Sequence, residues 1–393
     1  MKICLDTTPV TAQPSGVGLY VLNLVQELLQ LQVEEEFQLL LAYQPKLLNW
    51  VKGNWHFPSR LESYSHKSIV PIPVRLSNLL FRYSHNWSGQ WLANYLGEPS
   101  IMHGTNYSVY PLSSGYRVMT IYDVSFKLYP EYATAVSRAY LSQIKRSLAW
   151  TDLIITISES SRRDIIDCFD VAESTVWVTP LASRYSLAND SLGLSKTEHE
   201  SITYSRYGPN LDEHQPYILF VGTLEPRKNI ISILKAFNHL KSSKKVPHKL
   251  VLVGRKGWFY EPILNAINQS PYRDDIDHLD YVSDALMVNL YKDATLFVYP
   301  SYYEGFGLPV LEAMSLGCPV VTSNTSSIPE VVGDAAIMVA PDDVDELAHA
   351  LYQVIDSAAL RRTMMQAGYD QAATFSWKRT AQSTISAYRA LLS

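Results

Sequence analysis

The chain has 393 residues, of which 47% are hydrophobic and 18% charged, with a net charge of -5 and an isoelectric point near 6.1. A chain of this length is too large for one ordinary hydrophobic core, so two domains are expected. The acidic balance argues against nucleic acid as a partner, because binding to a phosphate backbone normally requires a basic excess.

Cysteine usage and hydropathy predict the cellular compartment. The three cysteines are odd in number and widely separated, which fits buried thiols in a reducing compartment: Cys4, Cys168 and Cys318. No uncharged apolar stretch reaches the roughly 18 residues of a spanning helix. We therefore expect a cytoplasmic protein whose membrane contact is at most peripheral, through the N-terminal domain. Trp87, Trp91 and Tyr95 recur at helical spacing and fit either core or a lipid-facing surface.

The first half alternates short apolar runs with amphipathic stretches, as βαβ units of a parallel sheet do. It predicts a strand at Ile3 to Asp6 and a helix from about Gly18 to Leu31, followed by further strands. Those strands are Gln38 to Ala42, Ile101 to His103, Val118 to Ile121, Leu153 to Ile157 and Val176 to Val178. Ser158 is predicted to be the N-cap of a helix.

The same rhythm restarts after a polar, aperiodic segment, residues 189–213, which we interpret as a linker. It separates an N-terminal domain, 1–188, from a C-terminal domain, 214–375, in which Asp284 is predicted to cap a helix. Residues 376–393 form a final helix that we expect to pack back toward the N-terminal domain. The fold class is α/β, with two Rossmann-like, doubly wound parallel-sheet domains facing a cleft, where ligands bind beyond the strands' carboxyl ends.

Two glutamates flank a glycine-containing turn in the C-terminal half. Seven residues separate Glu304 from Glu312, with Gly305 and Gly307 between them and a helical pattern from about Leu308. A helix start beside small residues can bind a phosphate through free N–H groups. Carboxylates near that anion would bind hydroxyls instead, so the pattern indicates a nucleotide sugar. The alternative is that Glu304 faces solvent and Glu312 pairs with a lysine.

A second loop carries two adjacent cations. The strand Tyr217 to Val221 leads into Gly222, Thr223 and then Arg227 and Lys228, just before a helix. Arginine can bind a diphosphate through two parallel hydrogen bonds and lysine as a point charge. The alternative is a solvated basic turn. In a parallel sheet this loop opens on the same edge as the Glu304 loop, so both can contact one ligand.

The N-terminal half offers weaker candidates for the acceptor side. Gly16 and Gly18 lie between the first strand and helix, where they either let the backbone approach the donor or form a tight turn. His103 ends an apolar run and is either a cleft residue or a hydrogen-bonded core histidine. Asp123 also follows a strand. Among these residues we expect no metal site.

Two acidic pairs imitate a D-x-D metal motif. Asp343 and Asp345 follow Pro341 at a predicted helix start, where acidic residues complement the helix dipole. Asp275 and Asp277 lie in a predicted polar loop. We interpret neither pair as a metal site.

The C-terminal motifs resemble the donor-binding half of retaining glycosyltransferases of family 4, which have the two-Rossmann glycosyltransferase B (GT-B) fold. The segments that carry the resemblance are Gly222 to Asn229, Leu296 to Glu312, Gly317 to Thr322, Ile328 to Gly333 and Phe375 to Trp377. The first half resembles the subgroup that acts on cell-surface polysaccharides. Its matching segments are Ser15 to Tyr20, His103-Gly104, Tyr122 to Ser125 and Ser158-Glu159.

The resemblance implies roles for these residues. Arg227 and Lys228 would hold the donor diphosphate, Glu304 the sugar hydroxyls and Glu312 the ribose, with Arg227, Lys228 and Glu304 the catalytic set. The backbone around Gly305, Phe306, Gly307 and Leu308 would contact sugar and phosphate. The sequence does not name the base, as in a GDP- or UDP-sugar, or the sugar, since both depend on the shape of the loops around Arg255, Lys256 and Val282. The family reaction retains the anomeric configuration and needs no metal or other cofactor.

The expected partners are therefore a nucleotide sugar donor and a glycan or lipid-linked acceptor. Two departures bear on this expectation: relatives carry a histidine where this chain has Tyr122, and often a basic residue where it has Leu19. An epimerase on the same fold, which would consume donor without acceptor, and a non-catalytic nucleotide-sugar-binding subunit are the alternatives.

Overall fold

The computed structural model describes residues 1–11, 16–53, 55–73, 76, 85–185, 215–280 and 282–393. They form two compact units: Met1–Leu181 together with Trp377–Ser393, and Ala182–Ser376. The predicted linker, 189–213, lies outside the described residues. The predicted start of the second domain at residue 214 also lies outside them, and the second unit already includes Ala182–Tyr185.

The first unit is built on a parallel sheet with the order β3-β2-β1-β4-β5-β6-β7. Its strands are β1 (Lys2–Asp6), β2 (Gln38–Tyr43), β3 (Lys67–Ile69), β4 (Ile101–Gly104), β5 (Tyr116–Thr120), β6 (Leu153–Thr156) and β7 (Val176–Val178). The described helices are Gly16–Leu31, Leu47–Val51, His85–Tyr95, Ser125–Leu128, Ala135–Ser147, Glu159–Phe169 and Trp377–Leu392. Strands such as β4 and β6 are buried throughout, which is why they read as continuous apolar runs.

The second unit repeats this plan with the order β10-β9-β8-β11-β12-β13. Its strands are β8 (Tyr217–Val221), β9 (Lys249–Val253), β10 (Ile276–Leu279), β11 (Leu296–Tyr299), β12 (Val320–Ser323) and β13 (Ile337–Val339). The helices are Ile230–Lys244, Glu261–Gln269, Asp284–Asp293, Leu308–Ser315, Ile328–Val332, Val344–Asp356 and Ala358–Ala372. Two Rossmann-like parallel-sheet units are thus confirmed.

Strand order reverses once in each sheet. In the second sheet the chain runs from β8 outward through β9 to β10, and then returns to the other side of β8 as β11. β8 and β11 are adjacent and parallel, with Leu296 opposite Ile218 and Phe297 opposite Leu219. The loops that follow these two strands therefore leave the same edge in opposite directions and open a crevice, which is where such sheets bind ligands.

Helix capping follows local chemistry, with one correction. Ser158 caps its helix as predicted, because its side chain accepts a hydrogen bond from the Ser161 N–H. Asp284 was expected to be a cap, but the cap is Ser283, whose hydroxyl accepts from the Leu286 N–H at 3.3 Å. Asp284 is instead the first helical residue, where its charge complements the helix dipole.

The final helix, Trp377–Leu392, belongs to the first unit. It packs against the helix Gly16–Leu31, and its Tyr388 hydroxyl lies 2.6 Å from Nδ1 of the buried His103. His103 Nε2 lies 2.7 Å from the Thr120 hydroxyl, so both ring nitrogens are hydrogen-bonded. Burial lowers the pKa of His103 to about 3. The neutral imidazole therefore ties the end of the chain to the centre of the first sheet.

Replacing Tyr388 by Phe should destabilise the first unit by about 1–3 kcal/mol, because it leaves a buried imidazole nitrogen without its partner. Urea denaturation followed by circular dichroism measures the change. Tyr352→Phe is the control, since the Tyr352 hydroxyl makes only a 3.4 Å contact with Asp356 near the surface. Equal stabilities of Tyr388→Phe and the parent protein would contradict this anchoring role.

Candidate functional site

The two loops singled out by the sequence meet at the edge of the second sheet. The loop after β8 contains Arg227 and Lys228 in a 3-10 turn, Pro226–Lys228, and Asn229 then enters the following helix with φ of 57°. Asn229 fastens this turn to the neighbouring loop, because its side-chain amide donates to the Pro300 carbonyl at 3.1 Å. The Tyr302 N–H donates to the Arg227 carbonyl at 3.0 Å. Both loops are thus one hydrogen-bonded assembly.

Lys228 lies at the centre of this assembly. Its ammonium group donates to Glu304 Oε1 at 2.6 Å and to the Tyr299 hydroxyl at 2.6 Å. Only 8% of Lys228 and 7% of Glu304 is exposed, so the expectation of a solvated basic turn and that of a solvent-facing Glu304 are both wrong. A buried ion pair needs good geometry and further hydrogen bonds to offset desolvation, and Tyr299 supplies one of them.

Arg227 joins the same carboxylate from the other side. Its Nη1 lies 3.1 Å from Glu304 Oε1, and its Nη2 lies 2.5 Å from Glu225 Oε1. Glu225 is 1% exposed and was not predicted as a site residue. The signal was present in the sequence, because an acid two residues before a basic pair can pair with it once the loop is buried. Two cations and two carboxylates give this cluster a formal charge of zero.

Electrostatics keep Glu304 ionised. Burial raises the pKa of Glu304, but the charges of Arg227 and Lys228 outweigh this effect and bring it to about 2. Burial and the neighbouring Arg227 lower the pKa of Lys228, and Glu304 and Glu225 oppose that shift. Glu304 is therefore a carboxylate at neutral pH. It can accept hydrogen bonds but cannot act as a general acid there.

The glycine turn brings the backbone to the same edge. Gly307 has φ of 100° and precedes the helix Leu308–Ser315, and a Cβ there would come within 2.6 Å of Ile328 Cδ1. Gly305 and Phe306 are buried, and Leu308 is partly exposed. The Phe306 ring packs edge-on against Phe375 at 5.7 Å. The chain is thus held close to the sheet where a helix N-terminus can attract an anion.

The remaining predicted donor residues lie on the neighbouring loops. A Cβ on Gly254, after β9, would lie 2.0 Å from the Gly222 carbonyl oxygen, so these two loop backbones touch. Thr223 and Arg255 are exposed, and Val282, after β10, is partly exposed. These loops therefore form one side of the same edge and leave two polar side chains accessible to a ligand.

Glu312 lies within the helix Leu308–Ser315 and is 7% exposed. Its Oε1 accepts from Arg184 Nε at 2.9 Å, and its Oε2 from the Tyr291 hydroxyl at 3.4 Å. The alternative that it pairs with a lysine is wrong, because its partner is an arginine. The sequence offered no signal for Arg184, which precedes Glu312 by 128 positions.

The predicted residues of the first unit are less favourably placed. His103 is fully buried and hydrogen-bonded, which matches the core alternative and not that of a cleft residue on the acceptor side. Asp123 accepts the Ser125 N–H at 2.9 Å in a turn, and the buried Tyr122 donates to the Thr105 carbonyl. Gly16 begins the first described helix and is exposed, whereas Gly18 is buried within it.

Both acidic lookalikes have structural roles. Asp343 caps the helix Val344–Asp356 by accepting from the Glu346 N–H at 2.8 Å. Asp275 pairs with Lys241 at 2.8 Å and Asp277 with Lys249 at 3.0 Å, and Asp277 lies in β10, not in the predicted polar loop. Among the described residues no group of three or more histidine, cysteine or acidic side chains is arranged to hold a metal ion.

Comparison with known proteins decides the family. A family model described as "Glycosyl transferases group 1" matches residues 203–371. The O-antigen chain mannosyltransferase B of Escherichia coli is 33% identical over 401 residues, covering 100% of both chains. The chain belongs to the group 1 glycosyl transferases. It is therefore a hexosyltransferase, and the clustered cations and carboxylates lie in the segment that defines the family.

Solved structures agree on the fold. Sucrose-phosphate synthase from Thermosynechococcus elongatus superposes with a TM-score of 0.72 at 19% identity, covering 100% of this chain and 99% of its own. Anabaena HepE in complex with UDP and glucose superposes with a TM-score of 0.66 at 15% identity, covering 99% and 100%. This glycosyltransferase thus has the GT-B fold. No helix in the described part of the chain is long and apolar enough to cross a membrane.

Proposed function

We propose that this glycosyltransferase moves a hexose, mannose in particular, from a GDP- or UDP-sugar to a glycan or lipid-linked acceptor in cell-surface polysaccharide synthesis. The observation that carries the proposal is the buried cluster of Arg227, Lys228 and Glu304 at the reversal of strand order. The full-length similarity to an O-antigen chain mannosyltransferase supports the sugar and the acceptor class. The UDP complex of HepE supports a nucleoside diphosphate ligand for this fold.

In this proposal the donor lies along the edge formed by the loops after β8 and β11. Arg227 and Lys228 bind the diphosphate, together with the N-terminus of the helix Leu308–Ser315. Glu304 accepts hydrogen bonds from sugar hydroxyls, and Glu312 from those of the ribose. The exposed Thr223 and Arg255 contact the rest of the donor. In a nucleotide sugar the diphosphate lies between the hexose and the ribose. This matches an arrangement with cations at the diphosphate and one carboxylate at each of the two sugars.

The reaction that fits these residues retains the anomeric configuration and uses no metal. The bond between the anomeric carbon and the diphosphate oxygen breaks while the acceptor oxygen forms a bond to that carbon from the same face. The acceptor's proton passes to the departing phosphate oxygen, so no separate base is required. Arg227, Lys228 and the helix N-terminus stabilise the charge that develops on the nucleoside diphosphate.

The two alternative functions, an epimerase and a non-catalytic nucleotide-sugar-binding subunit, are both disfavoured. An epimerase needs groups that exchange protons with the sugar, but a pKa of about 2 makes Glu304 a weak base at neutral pH, and the neutral His103 is fully buried. A non-catalytic nucleotide-sugar-binding subunit is disfavoured by the full-length similarity to an O-antigen chain mannosyltransferase.

We further propose peripheral contact with an anionic membrane surface through the helix Leu47–Val51. This helix buries none of its residues: Leu48 is 75% and Val51 69% exposed, and the exposed Lys46 and Lys52 flank it. Trp55 stacks on Trp50 with ring centroids 6.0 Å apart. Exposed leucines, tryptophans and lysines together are typical of a segment that lies at the lipid interface. An enzyme bound at the membrane surface through this helix can reach an acceptor that is linked to a lipid.

A second aromatic pair supports this orientation. Trp91 and Tyr95, which were expected in core or on a lipid-facing surface, are 36% and 45% exposed and stack at 5.5 Å. The Tyr95 hydroxyl donates to the Ile69 carbonyl, and the Trp50 ring N–H donates to the Pro71 carbonyl. Both aromatic pairs therefore hydrogen-bond to the backbone at the end of β3, at Ile69 and Pro71. The Trp87 side chain lies outside the described residues.

Glu304→Ala and the double change Arg227→Ala/Lys228→Ala should each lower turnover at least about a hundredfold, the scale of lost transition-state electrostatics. Release of nucleoside diphosphate from GDP-mannose, and from UDP-glucose in a parallel assay, measures the loss. Lys244→Ala/Lys245→Ala is the matched control. These adjacent, exposed cations lie at the C-terminal end of the helix Ile230–Lys244, whose N-terminal end follows the Arg227-Lys228 turn. Parental turnover in both site variants would overturn the assignment.

Activity should be unchanged in EDTA, because two cations and a helix N-terminus supply the positive charge that a divalent ion would otherwise provide. Transfer is assayed in chelator, and again after magnesium or manganese is restored. A loss in EDTA that either metal reverses would show that the donor site includes a metal ion.

Leu48→Ser/Val51→Ser should reduce binding to vesicles containing phosphatidylglycerol severalfold, while turnover on a soluble acceptor is kept. Co-sedimentation measures the bound fraction. Val33→Ser is the control, since Val33 is 81% exposed outside this surface. Unchanged sedimentation of the double variant would exclude this helix as the membrane contact.

A further inference from the structure

The segment Ala182–Tyr185 belongs to the second unit and lies against two of its helices. The Ser183 and Ser315 hydroxyls are 2.8 Å apart, which ties the segment to the end of the helix that carries Glu312. Tyr185 packs near Tyr291 with ring centroids 6.5 Å apart, and its hydroxyl donates to Asp284 at 3.3 Å. The segment is thus fixed on both sides of Arg184.

Arg184 connects the two acidic groups of this region. Its Nε donates to Glu312 Oε1 at 2.9 Å, and its Nη1 donates to Asp284 Oδ1 at 3.1 Å. The Glu312 side chain is 9% exposed but that of Asp284 is 68% exposed. Because screening by water weakens the outer pair, the contact with Glu312 carries most of the interaction.

We propose that Arg184 is a positioning residue that holds the Glu312 carboxylate charged and oriented to accept hydroxyl hydrogens of the donor's ribose. This inference rests on the proposed function, since it takes Glu312 to be the ribose acceptor. Arg184 itself need not touch the donor. Its guanidinium donates a hydrogen bond to one oxygen of Glu312, Oε1, from the segment Ala182–Tyr185. This bond fixes the plane of the Glu312 carboxylate. A carboxylate oxygen has two acceptor directions, so hydrogen-bonding capacity remains for a ligand.

The pKa of Glu312 depends on the charge of Arg184. Burial raises the pKa of Glu312, and Arg184 opposes this shift most strongly, with help from the Tyr291 hydroxyl. Asp284 raises it further, and Tyr185, whose own pKa is raised by burial, remains uncharged at neutral pH. Arg184 is the cation that faces this carboxylate in the described structure. Without it the buried Glu312 would take up a proton at a higher pH.

The test compares Arg184→Gln, Arg184→Lys, Glu312→Gln and the double variant Arg184→Gln/Glu312→Gln with the parent protein. Calorimetric titration with GDP and with UDP between pH 6 and pH 9 gives the dissociation constants. Each is expressed relative to the parent value at the same pH, because titration of the ligand then cancels. Arg117→Gln is the matched control, since the Arg117 side chain, 24% exposed against 30% for Arg184, forms an ion pair with Asp152 in the first unit.

Arg184→Gln should bind the nucleotide on the order of tenfold more weakly at pH 7 and recover as the pH rises, because an opposite charge at this distance lowers a carboxyl pKa by about 1–3 units. Arg184→Lys should restore most of the affinity. The double variant should lose the recovery at high pH, because it has no carboxylate to ionise. Arg117→Gln should match the parent protein.

Three outcomes overturn the proposal in distinguishable ways. If Glu312→Gln weakens binding but Arg184→Gln matches the parent protein at every pH, the positioning role is wrong and the ribose assignment stands. If Glu312→Gln binds both nucleotides as the parent does, the ribose assignment itself fails. A loss in Arg184→Gln that is independent of pH and is not rescued by lysine would show a purely structural role, which also contradicts the proposal.

Discussion

The donor edge depends on the contact between Lys228 and Glu304, two opposite charges 2.6 Å apart in a nearly dry environment. Neither charge would be stable there alone, because burying an unpaired ion costs several kcal/mol. The pair therefore requires both loops to be in place, and the adjacent ends of β8 and β11 place them. Arg227 and Glu225 extend the pair into a neutral group of four. Under the proposed function a diphosphate would add negative charge to a site already balanced, so donor binding would have to redistribute these contacts.

Glu312 is a second buried carboxylate, and its charge is stabilised in a different way from that of Glu304. Its charge is matched by a single arginine from a segment distant in sequence, and burial is only partly offset, so the pKa of Glu312 stays above its usual value while that of Glu304 falls to about 2. The two glutamates of one motif thus differ in their sensitivity to pH. That difference suits the two tasks proposed for them, with Glu304 held among cations at the reacting end and Glu312 accepting hydroxyl hydrogens farther away.

Much of the architecture was predictable because its signals are local. β7 and β8 have the predicted bounds, and Ser158 caps its helix, since strand burial and capping depend on neighbouring residues. Arg227, Lys228 and Glu304 were found from a strand, a turn and a helix start read together. Glu225 was missed although it lies two residues before Arg227, because the sequence does not show that its loop is buried, and Arg184 was missed because an ion pair across 128 positions leaves no local pattern. The position of His103 stayed open between cleft and core for a related reason: the end of an apolar strand looks the same whether the side chain meets a ligand or Tyr388 from the last helix.

The sequence by itself determined the βαβ rhythm of both halves, the two loops that carry charge, and the glycines at the turn before the helix Leu308–Ser315. These follow from short-range preferences of the backbone and from the alternation of apolar and polar residues. Only the tertiary structure decided which charges pair, which of them are buried, and therefore which are ionised. It also assigned Tyr388 to the first unit and Arg184 to Glu312. Such contacts join residues 285 and 128 positions apart, and their energies exist only after the sheets have formed.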